Sequence, residues 1–319
     1  MEEVVRIMRD KIVVIGSLNY DIILKLPHFP KTGENVLANE AAFSAGGKGA
    51  NQAVQAAKLG VPTYMVGCVG KDSHGDELIA SAKKYNLNVD HIRRVDEVTG
   101  MGVVNAIEDG SVFAGIVKGA NFAMTKEDVD HAEDLLRTAS IAIFQMEIPQ
   151  DVNEYAIHKA KKCGAKVLLN AAPAAPVSED TLREVDILVV NEVEAGFYLG
   201  RDIVGDGKDA KAEGLAGARE LYDRYGCNVI ITLGSLGSVV CEGGESLFLP
   251  SKKVKAIETT GAGDSFIGGV AYSLMQGMSL NAACEFATCC SAITVCRLGA
   301  QDSMGTLEEV KAFIQDYAE

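Results

Sequence analysis

Asp264 closes the run Glu258-Thr259-Thr260-Gly261-Ala262-Gly263-Asp264. Apolar periodicity predicts a helix from about Ala262 to Gln276, opening at this turn after an extended run that ends near Ile257. The first turn of a helix carries backbone N–H groups without an intrahelical partner, and the helix dipole adds partial positive charge. Gly261 and Gly263 let a ligand come close to that backbone, so the N–H groups of Gly261, Ala262 and Gly263 suit phosphate oxygens. A carboxylate at the same end can accept the proton of an attacking hydroxyl. The same residues also read as a plain glycine-rich helix start with a favourable first-turn acid.

Ala45-Gly46-Gly47-Lys48-Gly49-Ala50-Asn51-Gln52 is a second glycine-rich helix start, with its helix running to about Leu59. Its glycines permit close approach, and Lys48 and Asn51 can bond hydroxyls. It lacks the spacing of a Walker A loop, because Gly49 follows Lys48. Further polar residues stand just past apolar runs: Asn19 and Asp21, Glu147, Asn170, Asn191 and Glu194, then Gly234, Ser235 and Gly237. Each alone reads as a cap or turn residue. Together they mark the carboxyl edge of an open α/β sheet, where ligands bind.

The elements that must place them follow from periodicity. Lys11–Ile15 reads as a buried strand. Strands are also expected at Thr63–Val66, Ile141–Gln145, Lys166–Leu169, Ile187–Val190, Val229–Thr232 and Ser238–Cys241. Helices are expected near 73–84, 125–138, 151–162, 208–225, 262–276, 279–296 and 306–317. The alternation implies a mostly parallel sheet with helices on both faces. Two further β-rich patches stand apart. One is Asp21–Leu26 with Val36–Phe43. The other is Gly100–Ile107 with Ser111–Ile116, joined by a Glu108-Asp109-Gly110 turn. They predict a small sheet, contributed by about 21–43 and 100–116, that could act as a lid over a crevice. The expectation is one α/β domain over 1–319 with a β lid.

Composition narrows the partners. The 319 residues are 48% hydrophobic, enough for a large core, and carry a net charge of −14. That charge argues against nucleic acid or an anionic membrane as partner. The start of the chain shows no signal-peptide pattern, and no apolar run reaches the roughly 20 residues of a membrane span. The eight cysteines lack CxxC pairs and zinc spacing, which predicts reduced structural thiols and a cytoplasmic setting. Adjacent Cys289 and Cys290 leave a redox role as the alternative.

Ten motifs in order resemble the ribokinase-type, or PfkB, family of carbohydrate kinases, from about Val13 to Phe313. They are GSLNYDI (16–22), FPKTGENV (29–36), AGGKGANQA (45–53), VGKDSHGDEL (69–78), QMEIP (145–149), LNAAPA (169–174), NEVEA (191–195), ITLGSLG (231–237), TTGAGDSF (259–266) and GAQDS (299–303). The first and third are most similar to the ribose-phosphorylating members. The resemblance implies ATP-dependent phosphorylation of the 5-hydroxyl of D-ribose, giving D-ribose 5-phosphate and ADP. It makes Asp264 the base and the N–H groups of Gly261, Ala262 and Gly263 the anion hole. It assigns the sugar to Asn19, Tyr20, Asp21, Gly47, Lys48, Gly49, Ala50, Asn51 and Glu147, together with Asp264. ATP falls to Asn191, to the stretch Thr232, Leu233, Gly234, Ser235, Leu236 and Gly237, to Gly263 and Asp264, and to Thr288. Glu194 is implied to act through water on Mg²⁺.

The family also implies a monovalent-cation loop favouring K⁺, here at Glu258, Thr260, Thr294, Arg297, Gly299 and Ser303. At position 258 the family has Asp and this chain has Glu, which displaces the carboxylate by roughly one C–C bond, about 1.5 Å. A homodimer through the β lid is implied as well. Kinases of the same fold acting on a ketohexose, a deoxy-sugar acid or a nucleoside remain alternatives, as does a non-catalytic sugar-binding relative. The latter would have lost Asp264 or the glycines beside it, and all are present. A dinucleotide-dependent oxidoreductase would need a GxGxxG after the first strand, and none follows.

Overall fold

The structure is a computed structural model describing residues 9–108, 111–204 and 209–318. The strands are β1 (Lys11–Ile15), β2 (Asn19–Leu26), β3 (Glu40–Gly46), β4 (Thr63–Gly70), β5 (Asn88–Val95), β6 (Gly100–Ile107), β7 (Val112–Val117), β8 (Ala139–Phe144), β9 (Lys166–Asn170), β10 (Ile187–Asn191), β11 (Asn228–Thr232), β12 (Gly237–Glu242) and β13 (Glu245–Pro250). The helices are α1 (Lys48–Lys58), α2 (Ser73–Lys84), α3 (Lys126–His131), α4 (Glu133–Thr138), α5 (Gln150–Lys162), α6 (Glu179–Glu184), α7 (Glu192–Leu199), α8 (Ala210–Tyr225), α9 (Ala262–Met275), α10 (Leu280–Val295) and α11 (Leu307–Ala318).

Nine strands form one sheet in the order β13-β12-β11-β10-β9-β8-β1-β4-β5. The run from β5 to β11 is parallel throughout, and β12 and β13 extend it antiparallel. Because strand side chains alternate between faces, β1 sends Val13 and Ile15 into one buried cluster and Ile12 and Val14 into the other. Both faces are dry, which is why these strands read as continuous apolar runs. One face is covered by α1, α9 and α10, through residues such as Val54, Val270 and Ala287. The other is covered by α5 and α8, through Ile157 and Leu221.

A separate four-stranded sheet has the order β3-β2-β6-β7. Its centre is the parallel pair β2–β6, with β3 and β7 antiparallel at the edges. β2 follows β1 after only Gly16, Ser17 and Leu18, so one chain segment passes from the large sheet to the small one.

Several expectations shift. The second lid strand is β3, Glu40–Gly46 rather than Val36–Phe43; residues 36–39 make no ladder, and the strand runs on to the start of α1. The helix expected over 125–138 is two, α3 and α4, broken at Ala132. Residues 251–257 form no strand; β13 ends at Pro250 and the chain then runs irregularly to the 258–264 turn. Strands β5 and β13 and helix α6 were not anticipated. Asp109 and Gly110 of the expected hairpin turn, position 208 and the first eight residues lie outside the described residues.

All eight cysteines are free, and seven are buried. Burial pushes the Cys68 and Cys227 thiols up to about 12 and raises Cys289 and Cys290. A buried protonated thiol is a poor nucleophile, so Cys289 and Cys290 behave as packing residues of α10. Among the described residues no helix is long and apolar enough to cross a membrane.

Candidate functional site

Gly261 opens α9 in the left-handed region (φ 76), and Asp264 lies in the first turn. The positive φ turns the preceding loop so that it meets the helix at its N–H end. A Cβ added at Gly263 would touch nothing within 4 Å, so its face is open. That face borders two adjoining cavities. One, of about 260 Å³, is lined by Lys48, Asn170, Asn191, Glu194, Thr232 and Asp264 among others. The other, of about 590 Å³, is lined by Gly234, Ser235, Gly237, Lys252, Phe266 and Thr288 among others. Asn191, Thr232, Thr259 and Gly263 form walls of both.

Helix α1 faces α9 across this point. Gly47 precedes it with φ 89, and a Cβ there would lie 2.6 Å from the Asn19 backbone nitrogen. Gly49 packs its Cα face on Ser17 in the same way. Asn51 Nδ2 donates to Asp264 Oδ2 at 2.9 Å, and Gln52 Nε2 donates to Asp264 Oδ1 at 2.9 Å. Both carboxylate oxygens are therefore held from α1.

Lys48 lies between acids. Burial alone would lower its ammonium, but the charges of Asp264, Glu147 and Glu194 outweigh that and raise it. Glu147 Oε2 accepts from the Ser17 hydroxyl at 2.5 Å and from the Lys48 backbone N–H at 3.2 Å. Asp21 sits on β2, between Gly46 of β3 and Gly102 of β6; a Cβ at either glycine would overlap its carboxylate. Burial first, then the nearby charge of Glu147, pushes Asp21 up to about 7. Asn19 Oδ1 accepts from Asn121 Nδ2 at 2.7 Å, and Asn121 Oδ1 accepts from the Leu18 backbone N–H at 2.9 Å. Thus Asp21, Lys48, Asn51 and Glu147 gather around Asp264 with one cation among the acids, and Asn19 stands beside Asp21 on the same face of β2.

Tyr20 departs from this group. Alternation on β2 sends it to the other face from Asn19 and Asp21. Its ring packs 4.2 Å from His74 of α2 and 6.2 Å from Phe43, on the far side from Asp21; of the predicted sugar residues only Lys48 and Asp264 line a cavity wall. Leu233 and Leu236 also line neither cavity; Leu233 is buried in the core and Leu236 is exposed.

Asn191 caps α7. Its Oδ1 accepts from the N–H groups of Val193 and Glu194 at 2.9 and 2.8 Å, and its own N–H donates to Glu194 Oε2 at 2.9 Å. The pair is a capping box, and it also lines the smaller cavity. Burial raises the Glu194 carboxyl.

The expected cation loop is already cross-tied. Glu258 Oε2 accepts from the Gly299 N–H at 2.9 Å. Thr294 donates to the Cys290 carbonyl at 3.1 Å, and Ser303 to that of Ala300 at 2.6 Å. Arg297 donates to Glu309 Oε1 at 2.6 Å, and Thr260 is exposed. Among the described residues no group of three or more His, Cys, Asp or Glu could hold a metal ion.

Ser17, Gln52, Asn121, Gln145 and Gln301 were not singled out from the sequence. Four of them stand inside the quoted motifs, beside residues that were. Asn121 had no local signal, because its partners Leu18 and Asn19 lie about a hundred positions earlier.

The whole arrangement has counterparts. Residues 9–307 match the model of the pfkB family carbohydrate kinases. The chain belongs to that family. A ribokinase of Schizosaccharomyces pombe is 39% identical over 94% of this chain and 96% of its own length. A deoxyribokinase of Salmonella typhi is 34% identical over 95% of this chain and 98% of its own. The structure of Arabidopsis thaliana ribokinase complexed with ribose and ATP superposes with a TM-score of 0.86 at 32% identity, over 97% of this chain and 99% of the other. The nine-stranded sheet with its small second sheet is thus the pfkB-family fold.

Proposed function

We propose that this pfkB-family carbohydrate kinase transfers the γ-phosphoryl group of ATP to the 5-hydroxyl of D-ribose. The observation that carries the reading is the position of Asp264. Its carboxylate stands at the N–H end of α9, with hydroxyl-binding residues of α1 on one side and two cavities on the other. The site geometry, with a family fold whose relatives include ribokinases, supports it.

The larger cavity suits the nucleotide, with Phe266 and Thr288 toward the base and Gly234 to Gly237 along the ribose and phosphates. The open face of Gly263 leaves room at the α9 N-terminus for the transferring group. Asn19, Asp21, Lys48, Asn51 and Glu147 hold the sugar hydroxyls. Lys48, placed among three acids, stays an ammonium and balances charge as the phosphoryl group passes. Asp264 takes the hydroxyl proton, and in-line transfer follows. Donors fixed beforehand act chiefly on charge in the transition state.

Mg²⁺ usually keeps several waters and few protein ligands, and Asn191 with Glu194 at the cavity wall fits that pattern. Bound there it would offset phosphate charge. K⁺ would belong to the loop of Glu258 and residues 294–303. The small sheet, carrying Asn19 and Asp21, serves as lid of a single catalytic unit. Its exposed edges pair two copies into a homodimer, in a cytoplasmic setting.

A second reading is phosphorylation of 2-deoxy-D-ribose, favoured by the deoxyribokinase relative at 34% identity. ADP release with a panel of sugars and nucleosides, each run in potassium, sodium and choline salts, separates them. D-ribose turnover well above 2-deoxyribose, and highest in potassium, is expected. Preference for another acceptor overturns the substrate, and equal rates in the three salts overturn the cation loop.

A further inference from the structure

An ionised carboxylate only accepts hydrogen bonds. The two amides on Asp264, Asn51 and Gln52, must therefore turn their N–H₂ groups inward and their oxygens outward. An amide is nearly symmetric in shape, so packing alone does not hold that orientation; a donor on the far side does. Each amide has one. Gln301 Nε2 donates to Asn51 Oδ1 at 3.2 Å, and Gln145 Nε2 donates to Gln52 Oε1 at 2.8 Å. All four amides are buried, none more than 5% exposed. Gln301 is itself oriented, since the Ser81 hydroxyl donates to its Oε1 at 3.2 Å and Lys58 Nζ donates to its backbone carbonyl at 3.0 Å. Neither Gln301 nor Gln145 lines either cavity.

We propose that Gln301 is a positioning residue that fixes the Asn51 amide and through it aims the Asp264 carboxylate at the acceptor hydroxyl; Gln52 is held by Asn170 Oδ1 as well as by Gln145 and depends less on one donor. The inference rests on Asp264 being the base. It gives the 297–303 loop a direct line to the reacting centre, from Gln301 to Asn51 to Asp264.

Two substitutions separate orientation from packing. Gln301→Met keeps length and removes the donor, leaving Asn51 free to flip. Gln301→Glu keeps shape and can still accept from Ser81, but offers Asn51 only acceptors. Asn51 then turns its N–H₂ toward the new carboxylate and its oxygen toward Asp264. The measurements are kcat, KM for ATP, KM for sugar and thermal melting of both variants, with Asp264→Asn alongside. Gln301→Met is expected to fold and to lose kcat about 10-fold with KM for ATP unchanged, a loss confined to the transition state. Gln301→Glu is expected to lose about 100-fold, comparable to removal of a preorganised donor. A kcat within about twofold of the parent in a folded Gln301→Met overturns the proposal. So does a loss in which kcat and KM for ATP worsen together with melting. If Gln301→Glu fails to fold, Gln301→Met decides alone. Near-normal turnover in Asp264→Asn overturns the base assignment itself; its loss beside a normal Gln301→Met overturns only the positioning role of Gln301.

Discussion

Gly263 separates chemistry from folding in a single methyl group. It sits at a helical position in the first turn of α9, with nothing within 4 Å of an added Cβ. Alanine there costs no packing and gains about 0.5–1 kcal/mol of helix propensity. On the proposed function the methyl group would stand in the path of the phosphoryl group. Gly263→Ala is expected to melt at or above the parent temperature while kcat falls about 100-fold, which melting curves and an ADP-release assay together check. Asp21 gives a second residue-scale prediction, in pH. Its carboxyl is raised to about 7 from an ordinary 3.8, by burial and then by Glu147. Between those values the folded protein keeps a proton that the unfolded chain has released, so stability declines as pH rises through that window. Raised Glu194 acts in the same sense, while depressed carboxyls such as Asp72 and Asp128 act below it. Urea midpoints should fall between about pH 5 and pH 7.5 in the parent, and less steeply in Asp21→Asn. Equal slopes would remove Asp21 as the cause. These residues were legible as motif members because glycine and carboxylate at a helix start have a physical meaning in one dimension. Asn121 and the Asp21 cradle of Gly46 and Gly102 were not, since only the small sheet's pairing brings them together.

At the scale of elements, α9 is the piece everything else fits around, and its glycines show why. A Cβ at Gly268 would lie 2.6 Å from Gln55 Cβ and 2.9 Å from the Gln52 carbonyl, both on α1. A Cβ at Gly269 would lie 3.0 Å from Ala287 Cα on α10. The helix is clamped between two neighbours at glycine distance. Gly268→Ala is expected to cost about 1–3 kcal/mol by overpacking. It should also lower turnover, because α1 carries the amides that hold Asp264. A lower melting temperature with unchanged kcat would show that α1 yields without disturbing them. The long periodic elements were readable: β1, β6, α9 and α10 stand within about a residue or two of expectation, in line with the usual fraying of boundaries. Strand β5 was missed because Asn88-Val89-Asp90-His91-Ile92-Arg93-Arg94-Val95 has too little apolar content to announce a strand. It is an edge strand, and of its residues only Val95 is buried. The 125–138 helix broke at Ala132, where helical periodicity continues across a backbone kink that sequence does not record.

For the whole molecule, the small sheet raises the question of what covers its edges. The sheet ends at β3 and β7, each with open backbone on one side. Phe43 on β3 is 60% exposed, and Phe113 and Ile116 on β7 are 46% and 54% exposed. Phe29 packs its ring on Phe113, tilted by 36° with centroids 4.1 Å apart, and is itself half in water. Scattered single apolar residues on a surface need no partner, but a group of aromatic and aliphatic side chains along open strand edges does. The protein's charge of −14 works against nonspecific association, so a pairing there must be driven by apolar burial and strand contacts. A second copy meeting edge to edge would cover these residues and hold both lids at one interface. Phe43→Glu and Ile116→Asp, each placing a charge on the edge without touching the core, are expected to turn a sedimenting dimer into a monomer. Phe43, paired with Ile22, lies on the face opposite Asn19 and Asp21, whereas Ile116, paired with Gly102, lies on theirs, so loss of the dimer through Phe43→Glu should also weaken sugar affinity while leaving KM for ATP unchanged. A parent protein that sediments as a monomer at micromolar concentration would leave those edges to some other cover. A charged variant that stays dimeric would move the interface elsewhere on the molecule.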